Sequence, residues 1–171
     1  IKKHEVIPYI YNSSLMMDPE DTVKKDGTPY RVFTPFYKNN FIGASHTTSC
    51  INTTDIVILE NKEEGEIESF KRRLIPRHSW HKKFDKYWEP GEIGAQKKLR
   101  KFLDNGLIGY ADGRNRPDLN NVSRLSPHIH FGEISPSEIA NCLGDIDSED
   151  KERFYTELEW REFSHNLLFF N

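Results

Sequence analysis

Spacing of apolar residues divides the chain into a C-terminal half with a clear helical period and an N-terminal half with almost none. Ser148 to Phe170 reads as one long helix, with Ser148 or Asp147 as its cap and acids in the first turn, where the positive end of the peptide dipoles favours them. Glu157, Trp160, Arg161 and Ser164 recur on one side at helical spacing, bordered by Phe154 and Leu168. Beyond Trp88-Glu89-Pro90-Gly91-Glu92 a further helix is expected. Ile93, Ala95, Leu99, Phe102 and Leu103 suit one of its faces, and it should end near Asn105-Gly106. Two more helix starts lie between these. Ser126-Pro127 and Ser135-Pro136 each set a hydroxyl that can accept from unpaired N–H groups before a residue whose fixed φ suits the first helical position. Glu138, three residues after Ser135, completes a capping box. Gly132 is placed to end the first short helix, Pro127 to Phe131.

The N-terminal half offers less. Glu5 to Tyr11 has the β-branched and aromatic content of a strand, and Pro8 confines it to an edge or an end. Leu15 to Pro29 is turn-rich, and Tyr30 to Lys38 is aromatic enough that a loop there must pack against something. From Phe41 to Tyr87 no period is sustained, although Ile51 to Leu59 suits a short strand. A run this long without structure fits a linker between domains better than a fold of its own.

Composition adds a reason to expect missing partners. Hydrophobic residues make up 36% of 171, and the mean hydropathy of -0.74 is polar for a self-contained fold. The first residue is Ile1, and the apolar run Leu167 to Phe170 stops without Gly, Pro or a basic last turn, so the chain reads as an excerpt of a longer one. Its two cysteines, Cys50 and Cys142, are too far apart for a metal or redox motif and too few for a disulfide framework. No metal site is expected, and a reducing intracellular compartment, a bacterial cytoplasm for example, is the expected location. No run approaches a membrane span.

The net charge of -3 hides a reversal: Asp55 to Ser69 sums to -5, and Phe70 to Lys101 to +8. The basic block interleaves Phe70, Trp80, His81 and Phe84, a composition that suits a phosphate backbone and equally suits a solvated linker lying on an acidic neighbour.

The chemistry gathers in two places. Ser123 and Ser126 stand at a helix start, where free N–H groups and the dipole favour a phosphate or pyrophosphate, although a serine before proline needs no ligand to explain it. On the long helix, Glu157, Arg161 and Trp160 put a carboxylate, a guanidinium and an indole on a partly apolar surface. Set against any role for them is a plain i,i+4 pair of Glu157 with Arg161 on a wet face.

V-S-R-L-S-P-H-I-H-F-G-E-I-S-P, from Val122, resembles the flavin-cradle signature of the DNA photolyase and cryptochrome family, T-S-x-L-S-P-x-x-x-F-G-x-I-S. Val122 stands where Thr is common, which removes a hydroxyl but leaves the backbone N–H. The H-x-H-F-G-E variant is most similar to the subfamily that repairs cyclobutane pyrimidine dimers. K-x-D-G-T-P-Y-R-V-F-T-P-F resembles the segment that leaves the α/β antenna domain, W-x-P-G-E-x-G-A-x-x-x-L-x-x-F the opening of the helical domain, Y-x-x-x-R-x-x-P the loop after it, and E-L-x-W-R-E-F the helix that meets DNA.

The resemblance implies a fold that is mainly α in the C-terminal half, the start of a helical FAD-binding domain (88–171). An irregular interdomain linker (13–87) and an edge strand closing an α/β antenna domain (1–12) would precede it. It implies FAD held by Tyr110, Val122, Ser123, Arg124, Leu125, Ser126, Phe154 and Arg161. A damaged, flipped-out pyrimidine dimer would meet Glu157, Trp160, Arg161 and Ser164, with Arg114 on a DNA phosphate. Phe154 stands where the family often has Trp, keeping the aromatic face without an indole donor. Glu157 would be catalytic in light-driven repair by electron transfer from photoexcited reduced FAD, by a deoxyribodipyrimidine photo-lyase that is monomeric when whole. A folate or deazaflavin antenna would sit mainly outside these residues. The rest of the chain would be needed for activity, with the electron-transfer residues beyond Asn171. The alternatives are a cryptochrome-type photoreceptor without repair and a DNA-binding module without flavin.

Overall fold

A computed structural model describes residues 14–42 and 78–171. Its regular elements are helical, and no strand occurs among the described residues. In chain order the α-helices are α1 (Phe33–Asn40), α2 (Glu92–Lys101), α3 (Tyr110–Gly113), α4 (Ser126–His130), α5 (Pro136–Leu143) and α6 (Glu149–Phe170). The strands expected at 5–11 and 51–59, Cys50 and the acidic run lie outside the described residues.

Helix α6 is the spine. Ser148 is extended, and its hydroxyl accepts from Lys151 N at 3.3 Å, with Glu149, Asp150 and Glu152 in the first turn. Asp150 also reaches sideways, accepting from Gly109 N and Ala111 N at 2.8 Å each, so one carboxylate both suits the start of α6 and ties down the start of α3. Gly109 has φ 77, which leaves its N–H aimed there at no steric cost.

Helix α2 buries Ala95 and Leu99 but leaves Ile93 70% exposed, so the expected apolar face is one residue shorter at its start. The helix does not stop on a left-handed glycine at 106. It widens into a π-turn over Phe102–Gly106, with Leu107 N donating to Phe102 O at 2.8 Å. Gly106 is needed for proximity, because a Cβ there would lie 2.8 Å from the Phe102 ring.

Two of the expected caps also change. Leu125, already near helical dihedrals, precedes α4, and Ser126 is its first residue rather than its cap; the hydroxyl that contributes is that of Ser123, accepting from Leu125 N at 3.4 Å. Gly132, with φ 70, does end the helix. Ser135 caps α5 through Glu138 N at 3.0 Å, but the Glu138 carboxylate accepts from Gln96 Nε2, joining α5 to α2 instead of returning to its own cap.

The aromatic segment expected as a packed loop is helix α1. Pro35 falls in its first turn, where a missing N–H is no loss. Phe36 and Phe41 are buried with Tyr30 and Phe163 in a second core. The main core is built by Leu99, Phe102, Leu125, Ile139, Phe154 and Leu158 with their neighbours. Residues 14–42 and 90–171 belong to one compact unit, and residues 78–89 to another. In the latter, a 3-10 helix over Ser79–Phe84 leaves Trp80, Phe84 and Tyr87 about half exposed. Among the described residues no helix is long and apolar enough to cross a membrane.

Candidate functional site

Where α3 meets α6, four of the expected site residues converge. Tyr110, 7% exposed, packs edge-on against Phe154 with ring centroids 5.3 Å apart, and Phe102 closes the triangle at 5.7 Å from Tyr110 and 4.6 Å from Phe154. Burial pushes the Tyr110 phenol up, away from ionisation. Above its ring, at 5.8 Å, lies the Arg114 guanidinium, which donates from Nη1 to Glu157 Oε1. The Arg114 and Glu157 side chains are about a quarter and a third exposed, so this pair lines a surface rather than a core. The hydrogen bond to Glu157 holds the guanidinium firmly charged.

The plain i,i+4 pairing of Glu157 with Arg161 is therefore not the arrangement found: Glu157 turns to Arg114, and Arg161 bonds Glu162 Oε1 at 3.0 Å. Trp160, one turn on from Glu157, is 44% exposed. Its indole stacks on Phe33 of α1, centroids 3.8 Å apart and planes 10° from parallel. Ser164 donates its hydroxyl to Trp160 O at 2.7 Å, leaving its lone pairs for anything outside.

Val122, Ser123 and Arg124 meet elsewhere, in an open cleft that they line with Lys98, Lys101, Asn105 and Asn120. Arg124, which lines the cleft, is the non-glycine residue with positive φ, 54, among those described, a conformation uncommon for residues with a side chain. Three cationic residues, Lys98, Lys101 and Arg124, around a cleft that the π-turn also lines fit an anionic diphosphate. Leu125 is buried at 1% and serves the core with its side chain, while Ser126 is exposed and outside the cleft lining. Phe102 belongs to both places: it lines the cleft and packs on Tyr110 and Phe154.

The opposite side of α6 carries two acids that the sequence did not single out. Glu162, 3% exposed, accepts from Met16 N at 2.8 Å; burial pushes its carboxyl up to about 7 against the pull of that bond and of Arg161. Glu159 is fully buried. Neither of its oxygens is reached in ordinary hydrogen-bond geometry among the described residues, although the Tyr155 hydroxyl is near enough to interact. Burial first, and Glu162 second, push it up to about 9. His128, within the H-x-H-F-G-E string, is also buried, and its Nδ1 lies 2.6 Å from Glu133 Oε2. Lys98 and Lys101, which the sequence offers only as part of the basic block, and Phe33 are likewise not singled out by the sequence. The lysines stand at i,i+3 on the polar face of an amphipathic helix, where a site and a solvated face look alike, and Phe33 meets Trp160 only through tertiary packing.

No protein-family model matches the chain. It is 34% identical over 164 residues to the deoxyribodipyrimidine photo-lyase of Agrobacterium fabrum, covering 93% of this chain and 34% of that protein. To the deoxyribodipyrimidine photo-lyase of Alkalihalophilus pseudofirmus it is 32% identical over 178 residues, covering 99% and 36%. Cryptochrome-2 of Arabidopsis thaliana matches at 26% over 183 residues, covering 93% and 28%. Among solved structures, a bacterial class III photolyase from Agrobacterium tumefaciens superposes with a TM-score of 0.74 at 34% identity, covering 91% of this chain and 33% of that one. The chain thus spans about a third of the length of the relatives it matches.

Proposed function

Because this chain belongs to the photolyase/cryptochrome family, we propose that it supplies part of the FAD cradle and the lesion-facing wall of an enzyme that repairs cyclobutane pyrimidine dimers in DNA with light. On this reading residues 1–12 close an antenna domain, 13–87 connect it, and 88–171 open the FAD-binding domain. The observation that carries the proposal is the Arg114–Glu157 pair, seated on Tyr110 and Phe154 and one helical turn from a half-exposed Trp160.

Lys98, Lys101 and Arg124 would neutralise the diphosphate of the cofactor, with Val122 and Ser123 offering main chain and hydroxyl, and Tyr110, Phe154 and Arg161 bounding the flavin side. When held by these residues, reduced FAD would supply light-driven one-electron chemistry with no net redox change. The protein's own part is to receive the everted lesion. Damage weakens stacking, so a dimer leaves the duplex at lower cost than an intact base pair. Trp160 offers it an apolar wall, and the Glu157 carboxylate accepts from a pyrimidine N–H, while the Arg114 guanidinium beside it offsets the negative charge that the lesion takes up. Arg114 retains donors beyond those used on Glu157, enough for a phosphate oxygen. Ser164 keeps acceptor capacity at the rim.

The test is blue-light repair of a dimer-bearing oligonucleotide by the intact protein, with Glu157→Ala beside it. Wild type should repair, and the variant should repair about tenfold more slowly, the effect of losing one hydrogen bond to a charged group, with flavin absorbance unchanged. Flavin without light-dependent repair in the wild type would favour the photoreceptor reading, which the cryptochrome match supports. A protein lacking flavin absorbance would be a DNA-binding module.

A further inference from the structure

Trp160 does not stand alone on α6. Phe33 lies flat against one face of the indole at 3.8 Å, Phe33 is itself within 11° of parallel to Tyr37 at 5.7 Å, and the edge of Phe163 meets both Phe33 and Trp160, at 5.9 and 6.0 Å. Face-to-face stacking is not the arrangement isolated aromatic pairs prefer, so the packing of α1 on α6 imposes it. That packing is anchored well away from the indole. Phe36 and Phe41 are 1% and 2% exposed, Tyr30 meets Phe36 edge-on at 5.9 Å, and Met16 N is held by the buried Glu162.

An unbraced tryptophan on a helix surface exchanges among staggered rotamers. Here a ring covers one face and a second ring flanks it, while Trp160 stays 44% exposed. We infer that Phe33 is a positioning residue: it fixes the plane of the Trp160 indole so that the uncovered face is presented as a ready platform for a base of the everted dimer. The inference rests on the dimer-repair reading. It gives α1, remote in sequence from the other site residues, a part in lesion recognition, because a platform already held in place loses less conformational freedom when the lesion binds.

The test compares Phe33→Leu, which keeps apolar volume but no flat ring, with Phe33→Tyr, which keeps the ring, in the intact protein. The readout is the ratio of affinities for dimer-bearing and undamaged oligonucleotide, measured with flavin content. Phe33→Leu should lower that ratio by about threefold to tenfold, the range of one aromatic pair, through weaker lesion binding alone. Flavin content should stay at the wild-type level, and Phe33→Tyr should restore the ratio. In a Trp160→Ala background Phe33→Leu should cost nothing further. An unchanged ratio in Phe33→Leu, additive losses in the double variant, or equal losses from Leu and Tyr accompanied by lost flavin would each overturn the inference while leaving dimer repair by the wild type intact. A wild type without preference for the dimer would instead bring down the repair reading, and the inference with it.

Discussion

Glu157 and Glu159 stand two residues apart on α6. One is about a third exposed and bonded to Arg114; the other is fully buried, with Glu162 as the charged neighbour that acts on it most. Two residues advance a helix by more than half a turn, so the two carboxylates face different partners: α3 on one side, α1 with residues 16–22 on the other. The Arg114 side is built to keep a charge at the surface, where a ligand can use it. The Glu162 side spends its polar groups on holding the N-terminal segment, as when Asn166 Nδ2 donates to Thr22 Oγ1 at 2.8 Å. Residue type therefore does not tell an acid kept at the surface from one sealed in the core. The element packed over it does.

The contrast can be broken most forcefully at Glu162. Glu162→Ala should destabilise the protein by about 2 to 3 kcal/mol in urea unfolding, because the Met16 amide and Arg161 lose a buried acceptor, and hydrogen exchange at Met16 should rise with it.

Next comes Glu159→Met, which replaces a buried acid by an apolar chain of similar length. It should stabilise by about 1 to 2 kcal/mol at pH 8 and by little below pH 5. The sign follows from the direction of the shift. A carboxyl raised from 4.5 to about 9 binds its proton more tightly when folded, so the contribution of Glu159 to stability is greatest at low pH and falls as pH climbs between those values. Melting temperatures across that range should converge at the acid end and separate toward the alkaline end. Convergence at the alkaline end would show that Glu159 is paired.

The smallest effect belongs to Arg114→Ala. A pair this exposed is screened by solvent, so unfolding should shift by only about 1 kcal/mol, and less in high salt. A loss as large as that at Glu162 would mean that the two sides of α6 do the same structural work.

Much of this arrangement was legible from the sequence, and the misreadings have local causes. The helical period and the hydroxyl at Ser148 located α6, and serine–proline pairs located the starts of α4 and α5 to within a residue. Helix α1 escaped because its eight residues, with Pro35 among them, form a helix held by burial of Phe36 rather than by propensity. The sequence pairs Glu138 with its own cap because a capping box is a local pattern, whereas Gln96 arrives from 42 residues away.

The same division runs through the candidate site. Tyr110, Arg114, Glu157 and Trp160 could be named from the chain because their motifs repeat family patterns at fixed spacing, and the helical period alone set Glu157 and Trp160 on one side of α6. That Glu157 would bond Arg114 rather than Arg161, that Phe33 would cover the indole, and that Glu159 would be sealed from water were decided only when distant segments packed together. Helical geometry is a property of neighbouring residues and can be read in order. A side chain's partner and its degree of hydration depend on whatever the fold lays over it.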